Sequence, residues 1–229
     1  MVLHGGPCSA TRAQTMNATL HYLYDPLCGW CYGAEPLVKA AEHVVGLNLR
    51  LHAGALWPEP TQLPESMRLY IQHADARIAQ MSGQPFGEAY LNHLLLDPAL
   101  VLDSRPVVAA VLAAQQLDPT KTLPMLRGIQ HAHYEQGRHV VQEAALVDIA
   151  KSVGLDATAF AAALRSVPVD RHIAESREFM HKIGAQGFPT FVLEIGDDWL
   201  AVPHGRFAAA PAKFAEWLEA QLKNRAAAH

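Results

Sequence analysis

The first regular pattern in the chain is Leu20-His21-Tyr22-Leu23-Tyr24, an aromatic, β-favouring run that stops at Asp25-Pro26. Proline supplies no ladder donor and restricts the residue ahead of it, so this run predicts a strand with a fixed end. From Glu35 to Val45 the apolar positions recur at helical spacing and halt at Gly46. Leu47 to Leu56 then alternates apolar with polar residues, the pattern of a second strand.

The next strand pattern does not begin until Thr190. Between them the periodicity is helical: Glu65 to Met81, Phe86 to Leu95, then a segment opened by Ser104, with Pro106 near its first turn, running to Leu117. Leu123 to Gln136 ends at Gly137, Glu143 to Val153 ends at Gly154, Asp156 caps a short helix through Leu164, and Val169 to Ile183 ends at Gly184. That is far more chain than a crossover between parallel strands requires, and it predicts an inserted all-helical domain. Beyond it, Phe191 to Ile195 and Trp199 to Val202 flank the hairpin signal Gly196-Asp197-Asp198, and Ala210 to Lys223 gives a last amphipathic helix. The expected division is a disordered prefix over residues 1–18, a discontinuous α/β domain over 19–60 and 185–225, and a helical insertion over 61–184 whose last helix returns to the sheet. Met16 is a candidate physiological start within the prefix.

Cys28-Gly29-Trp30-Cys31 sits where the first strand hands over to a helix N-terminus. Two thiols at this spacing can close a reversible disulfide, and the unpaired N–H groups and dipole of a helix N-terminus favour a thiolate over a thiol. Cys28 is therefore expected to form and release mixed disulfides, and Cys31, about one helical turn further on and more buried, to resolve them. The competing reading is half a zinc site, which needs a second pair of ligands. The only other cysteine is Cys8 in the prefix, and among thirteen histidines none forms a finger-like pair after the motif. His131-Ala132-His133 lies in a predicted helix, where residues two apart point to different faces. No metal is expected. Asp25, three residues before Cys28, is a candidate proton shuttle; as a turn former ahead of proline it has a simpler role too.

A second motif, Gly187-Phe188-Pro189-Thr190, leads into the late strand. With the Cys pair on the first strand–helix turn and this tetrapeptide before a late strand, the chain resembles thioredoxin-fold proteins of the DsbA-like family, in its FrnE-like, protein disulfide isomerase-like branch, from about Thr19 to Leu222. The resemblance implies a thioredoxin-like α/β fold with the large helical insertion, Cys28 as nucleophile and Cys31 as resolving cysteine. It also implies a cis Pro189 facing the Cys pair, with backbone groups at Phe188 offered to an extended peptide or other thiol substrate. Gly29, Trp30 and Thr190 complete that active-site loop. The chain departs from the strongly oxidising periplasmic members, which carry a histidine before the second cysteine, and from thioredoxins, which carry Gly-Pro; Trp30 brings no positive charge, which leaves the redox direction open.

At 229 residues, half of them hydrophobic, the chain can bury a substantial core, and a net charge of -4 gives no reason to expect nucleic acid or an anionic membrane as partner. No apolar run approaches the length of a bilayer span, and the first fifteen residues lack a signal-peptide core. A cytoplasmic protein is expected, and there thiols are kept reduced, which favours a reductase, isomerase or detoxification role. The expected function is dithiol–disulfide exchange with protein or small-molecule disulfides, with no bound cofactor and with glutathione or a thioredoxin-type reductant resetting the pair. One alternative is a glutathione-dependent isomerase or transferase, like the hydroxychromene carboxylate isomerases and kappa-class transferases that typically carry serine at the first cysteine position. Another is a non-enzymatic redox-sensing interaction protein. Trp57-Pro58-Glu59-Pro60 reads as a rigid connector or a substrate rim, Met67, Met81, Met125 and Met180 as core gap fillers, and His204-Gly205-Arg206 as a turn followed by an exposed arginine or, by resemblance to the family's short loop beneath the sheet, as a substrate contact.

Overall fold

The computed structural model describes residues 18–226. The expectations for the prefix, including Met16 and Cys8, lie outside the described residues. The chain runs through β1 (Ala18–Tyr24), α1 (Gly29–Gly33), α2 (Glu35–Ala41) and β2 (Leu47–Ala53). Next come β3 (Thr61–Gln62), α3 (Glu65–Ser82), a π-helical turn (Ala89–Leu94) and β4 (Val101–Leu102). Helices α4 (Ser104–Leu117), α5 (Thr122–Tyr134), α6 (Glu143–Ser152), α7 (Ala157–Leu164) and α8 (Val169–Lys182) follow. The chain ends through β5 (Thr190–Ile195), β6 (Asp198–Ala201) and α9 (Pro211–Ala226).

The main sheet has the order β2-β1-β5-β6, with β1 parallel to β2 and antiparallel to β5, and β6 antiparallel to β5. β1 is internal and covered on both faces, which is why its sequence reads as a nearly unbroken apolar run. Tyr22 stands opposite Phe191 in the register and their rings stack 4.6 Å apart, while Phe191 meets Phe214 of α9 at 5.9 Å. Residues of β1 on that face therefore look toward α9. The opposite face carries His21, whose ring lies 5.1 Å from Phe179 of α8, and His52 of β2, 4.5 Å from the same ring. A neutral His21 satisfies both its nitrogens: Nε2–H donates to Glu194 at 2.9 Å and Nδ1 accepts from His52 Nε2–H at 2.9 Å. Burial lowers the His21 pKa and takes that of His52 down to about 3, keeping the pair uncharged.

Four elements differ from the sequence pattern for identifiable reasons. The helix after the Cys pair begins at Gly29, breaks at Ala34 and ends at Ala41, short of the predicted Val45, which is 92% exposed. Pro36 has no N–H to continue the ladder across the break. β2 leaves its ladder after Ala53 instead of Leu56, and Ala55 takes a left-handed backbone with φ 52°. The predicted helix from Phe86 to Leu95 is a π-helical turn, in which Leu95 N–H reaches Tyr90 O at 2.9 Å; the wider turn brings Tyr90, Leu94 and Leu95 inward together. The insertion is helical except for one antiparallel pair, Thr61 opposite Leu102 and Gln62 opposite Val101, too short for any alternation to register.

α4 is the centre of the helical layer, with Val107, Val108, Ala110, Val111, Ala113 and Ala114 buried and α5, α7 and α8 packed around it. Its cap is Asp103, which accepts from Arg105 N at 2.9 Å, and not the predicted Ser104. Ser104 is buried and holds the chain leaving β2, accepting from Trp57 N at 2.9 Å.

Candidate functional site

β1 delivers its C-terminal end to the turn Asp25-Pro26-Leu27, where Cys28 N–H donates to Asp25 O at 3.2 Å. Cys28 is the N-cap of α1 with extended backbone, and its carbonyl accepts from Cys31 N at 2.9 Å and Tyr32 N at 3.0 Å. Both thiols are free. Cys28 Sγ donates toward Phe188 O at 3.8 Å, and the Phe188–Pro189 peptide is cis. The two motifs, 160 residues apart in sequence, thus meet at one point. Thr190 lies beside them as the first residue of β5, its hydroxyl donating to Gly187 O at 2.7 Å. Arg177 of α8 braces this loop, donating to Ala55 O and standing 5.3 Å over the Phe188 ring. The ring fills the space where a side chain at Gly54 would begin.

Cys31 is fully buried, and its Sγ accepts from Asp25 N–H at 3.5 Å while its carbonyl accepts from the Tyr22 hydroxyl at 3.2 Å. Burial, and then the neighbouring Cys28, push the Cys31 thiol well above its ordinary range. Asp25 is also fully buried: Oδ1 accepts from Leu27 N and Oδ2 from Leu56 N, each at 2.7 Å. Burial raises its pKa, with these hydrogen bonds opposing. The carboxyl ties the Cys-pair turn to the chain leaving β2.

Cys28, Gly29 and Trp30 form one side of a cavity of about 240 Å³. The other walls are Leu56 and Trp57, the α3 residues Met67, Tyr70 and Asp75, and, at the buried end, Tyr90, His133 and Tyr134. Trp57 is thus part of the rim as well as a connector, and Met67, 41% exposed, is not a core filler, whereas Met125 is fully buried. Trp30 also lines a second groove with Pro189, His204 and Gly205, which brings the predicted turn after β6 to the same neighbourhood. Arg206 does not line it. Among the described residues no group of three or more His, Cys, Asp or Glu side chains is placed to hold a metal ion, and no helix is long and apolar enough to cross a membrane.

The sequence reading missed Asp75, Tyr90, His133 and Tyr134. His133 is buried, with Nδ1 lacking any hydrogen-bond partner, and burial lowers its pKa to about 4; His131, two residues away, is exposed and pairs with Glu135 at 2.8 Å. Asp75 is 2% exposed, and its Oδ2 accepts from the Tyr90 hydroxyl at 2.7 Å. Burial raises its pKa to about 7 against the pull of that hydrogen bond. A carboxyl whose folded-state pKa is raised adds stability below about 3.8, and that contribution is lost as the pH climbs toward about 7. At about 1.4 kcal/mol per pH unit the loss is roughly 4 kcal/mol. Asp75→Asn should therefore gain on the wild type as urea unfolding is repeated from about pH 4 to about pH 7.5. A difference independent of pH would show that this carboxyl titrates normally.

Residues 19–210 match the family described as a DSBA-like thioredoxin domain. Among solved structures, the chain is similar to the cytosolic disulfide reductase DsbM from Pseudomonas aeruginosa, at 45% identity over 90% of this chain and 98% of that one, with a TM-score of 0.83. It is also similar to the structure of the same protein with GSH, at 44% identity over 90% of this chain and 99% of that one, with a TM-score of 0.80. A 2-hydroxychromene-2-carboxylate isomerase shares the fold at 17% identity, over 91% of this chain and 98% of that one, with a TM-score of 0.60. No curated protein matches the chain.

Proposed function

The chain belongs to the DSBA-like thioredoxin domain family, and from that premise we propose that it is a cytosolic thiol–disulfide oxidoreductase working as a reductase through Cys28 and Cys31. The observation that carries this reading is the asymmetry of the pair: Cys28, though buried to 5% exposure, lines the cavity and faces Phe188 O, while Cys31 has no exposed surface and does not line the cavity. Cys28 as thiolate attacks a substrate disulfide, forming a bond to one sulfur and expelling the other as thiolate. Cys31, deprotonated, then attacks Cys28 Sγ, releases the bound sulfur as thiolate and leaves the protein pair oxidised. Phe188 is half-buried and its carbonyl faces Cys28, so an extended substrate that pairs with this backbone would lie beside Cys28.

The oxidised pair must be returned to dithiol by an external thiol. Glutathione is the reductant we favour, because the 44% identical reductase has a structure with GSH. Both cysteines are retained here, which speaks against a glutathione transferase or isomerase carrying a single activated residue. Equilibrating the pair against glutathione redox buffers, with Trp30 fluorescence as reporter, tests the reading. A reductase should give a potential near that of thioredoxin, about -270 mV. A value near about -120 mV would make it an oxidant, and a pair that never forms a reversible disulfide would defeat the proposal.

A further inference from the structure

Asp75 is costly where it stands. It shares a face of α3 with Ile71, Ala74 and Ile78, at spacings that would normally carry apolar side chains, and α3 packs that face toward α1. An apolar residue would fill the position without desolvating a carboxylate. Oδ2 is held by Tyr90, and Oδ1 lies against Gly29, where a side chain at residue 29 would overlap it. The carboxyl is thus pressed to the backbone next to Cys28 and lines the same cavity.

We propose that Asp75 is the general base that deprotonates the SH group of low-molecular-weight thiols entering this cavity, so that they can reduce the Cys28–Cys31 disulfide. The inference rests on the oxidoreductase reading above. The cavity, about 240 Å³, falls below the range of drug-sized pockets, which suits a low-molecular-weight thiol. An aliphatic thiol is only about 3% ionised at pH 7, so a base at the site of attack addresses the scarce species directly. The thiol gives its proton to the Asp75 carboxylate, and the resulting thiolate attacks Cys28 Sγ. The Cys28–Cys31 bond breaks, its electron pair leaves on Cys31, and Cys31 takes up a proton. A second thiolate then attacks the substrate sulfur of the mixed disulfide and expels Cys28 as thiolate. Two thiols are oxidised to one disulfide, and the protein pair is reduced by two electrons.

The titratable groups facing Asp75 are Cys28 from the start of α1, Tyr90 from the π-helical turn, His133 and Tyr134 from α5, and Tyr70 on α3 itself. Burial keeps His133 neutral at pH 7, with its pKa near about 4, and raises Tyr90 and Tyr134 so that both stay protonated. In the oxidised protein neither cysteine titrates. With a pKa of about 7, and with no Lys or Arg among the described residues of the lining, Asp75 is the group placed to change charge near neutrality.

The test follows reduction of the oxidised full-length protein by stopped-flow Trp30 fluorescence, from about pH 5.5 to about pH 8.5, with two probes that differ in their need for a base. One is 2-mercaptoethanol, largely protonated over this range; the other is 4-nitrothiophenol, already ionised. With 2-mercaptoethanol the wild-type rate should climb through pH 7, where the base is half ionised, and bend toward a plateau by about pH 8, and Asp75→Asn should lose that bend and run about ten- to a hundredfold slower at pH 7. With 4-nitrothiophenolate the same variant should change by less than roughly twofold, since no proton is to be removed. Tyr90→Phe, which deletes the hydrogen bond holding the carboxylate, should move the levelling point upward. If Asp75→Asn slows both probes alike, the residue is structural, and if it slows neither, it takes no proton; either result overturns the inference. Wild-type protein that neither thiol reduces would instead defeat the oxidoreductase reading itself.

Discussion

Cys28→Ser will lose disulfide exchange by about a thousandfold or more, whereas Cys31→Ser will go on attacking substrate and stall with it attached. The difference follows from where each sulfur stands. Cys28 Sγ is in the cavity wall and faces the Phe188 carbonyl, so a disulfide can be presented to it. Cys31 has no exposed surface and is closed off by the Asp25 N–H, so its partner in exchange is Cys28. Intact-protein mass spectrometry after incubation with glutathione disulfide, with Cys8 replaced by Ser in both variants so that only the pair can react, reads this directly: an adduct should accumulate on Cys31→Ser and be missing from Cys28→Ser. An adduct of equal yield on the second variant would mean that Cys31 is reachable and that the roles are reversed or shared.

The elements that present this pair were legible in the chain because they rest on local chemistry. An aromatic strand ended by Asp25-Pro26, then two cysteines at the start of a helix, can be read without knowing the fold. The late Pro189 motif was legible by resemblance, since its approach to Cys28 spans 160 residues and depends on β5 pairing with β1. What escaped the sequence is the cavity. Its inner wall comes from α3, the π-helical turn and α5, and no local pattern states how three such segments cross. A signal did exist on α3, where Asp75 interrupts the apolar series Ile71, Ala74 and Ile78. A carboxylate on the buried stripe of an amphipathic helix asks for a reason, and at this position the carboxyl lies directly against Gly29, beside Cys28. The strands at Thr61 and Val101 and the break at Ala34 were missed for a different cause, being set over two or three residues, below the length at which any period can be recognised.

Phe191→Ala should cost about 3 to 5 kcal/mol of stability, the range for emptying a buried aromatic site, and lower the thermal midpoint by about 10 °C. The ring is 1% exposed and occupies the junction between sheet and α9, stacked on Tyr22 at 4.6 Å and set edge-on to Phe214 at 5.9 Å. Its loss opens a cavity in a layer that includes the hydroxyl of Tyr22, and that hydroxyl holds the Cys31 carbonyl at 3.2 Å. The stability cost should appear in urea unfolding as a lower midpoint at an unchanged slope. Phe214→Ala supplies the comparison: it empties a fully buried ring of the same size on α9, one layer further from the Cys pair. If the aromatic stack also fixes the backbone under Cys31, Phe191→Ala will slow release of a mixed disulfide from Cys28 under conditions where both variants are fully folded, and Phe214→Ala will not. Equal exchange rates in the two folded variants would mean that the stack holds α9 to the sheet and leaves the position of Cys31 to the hydrogen bonds of α1 alone.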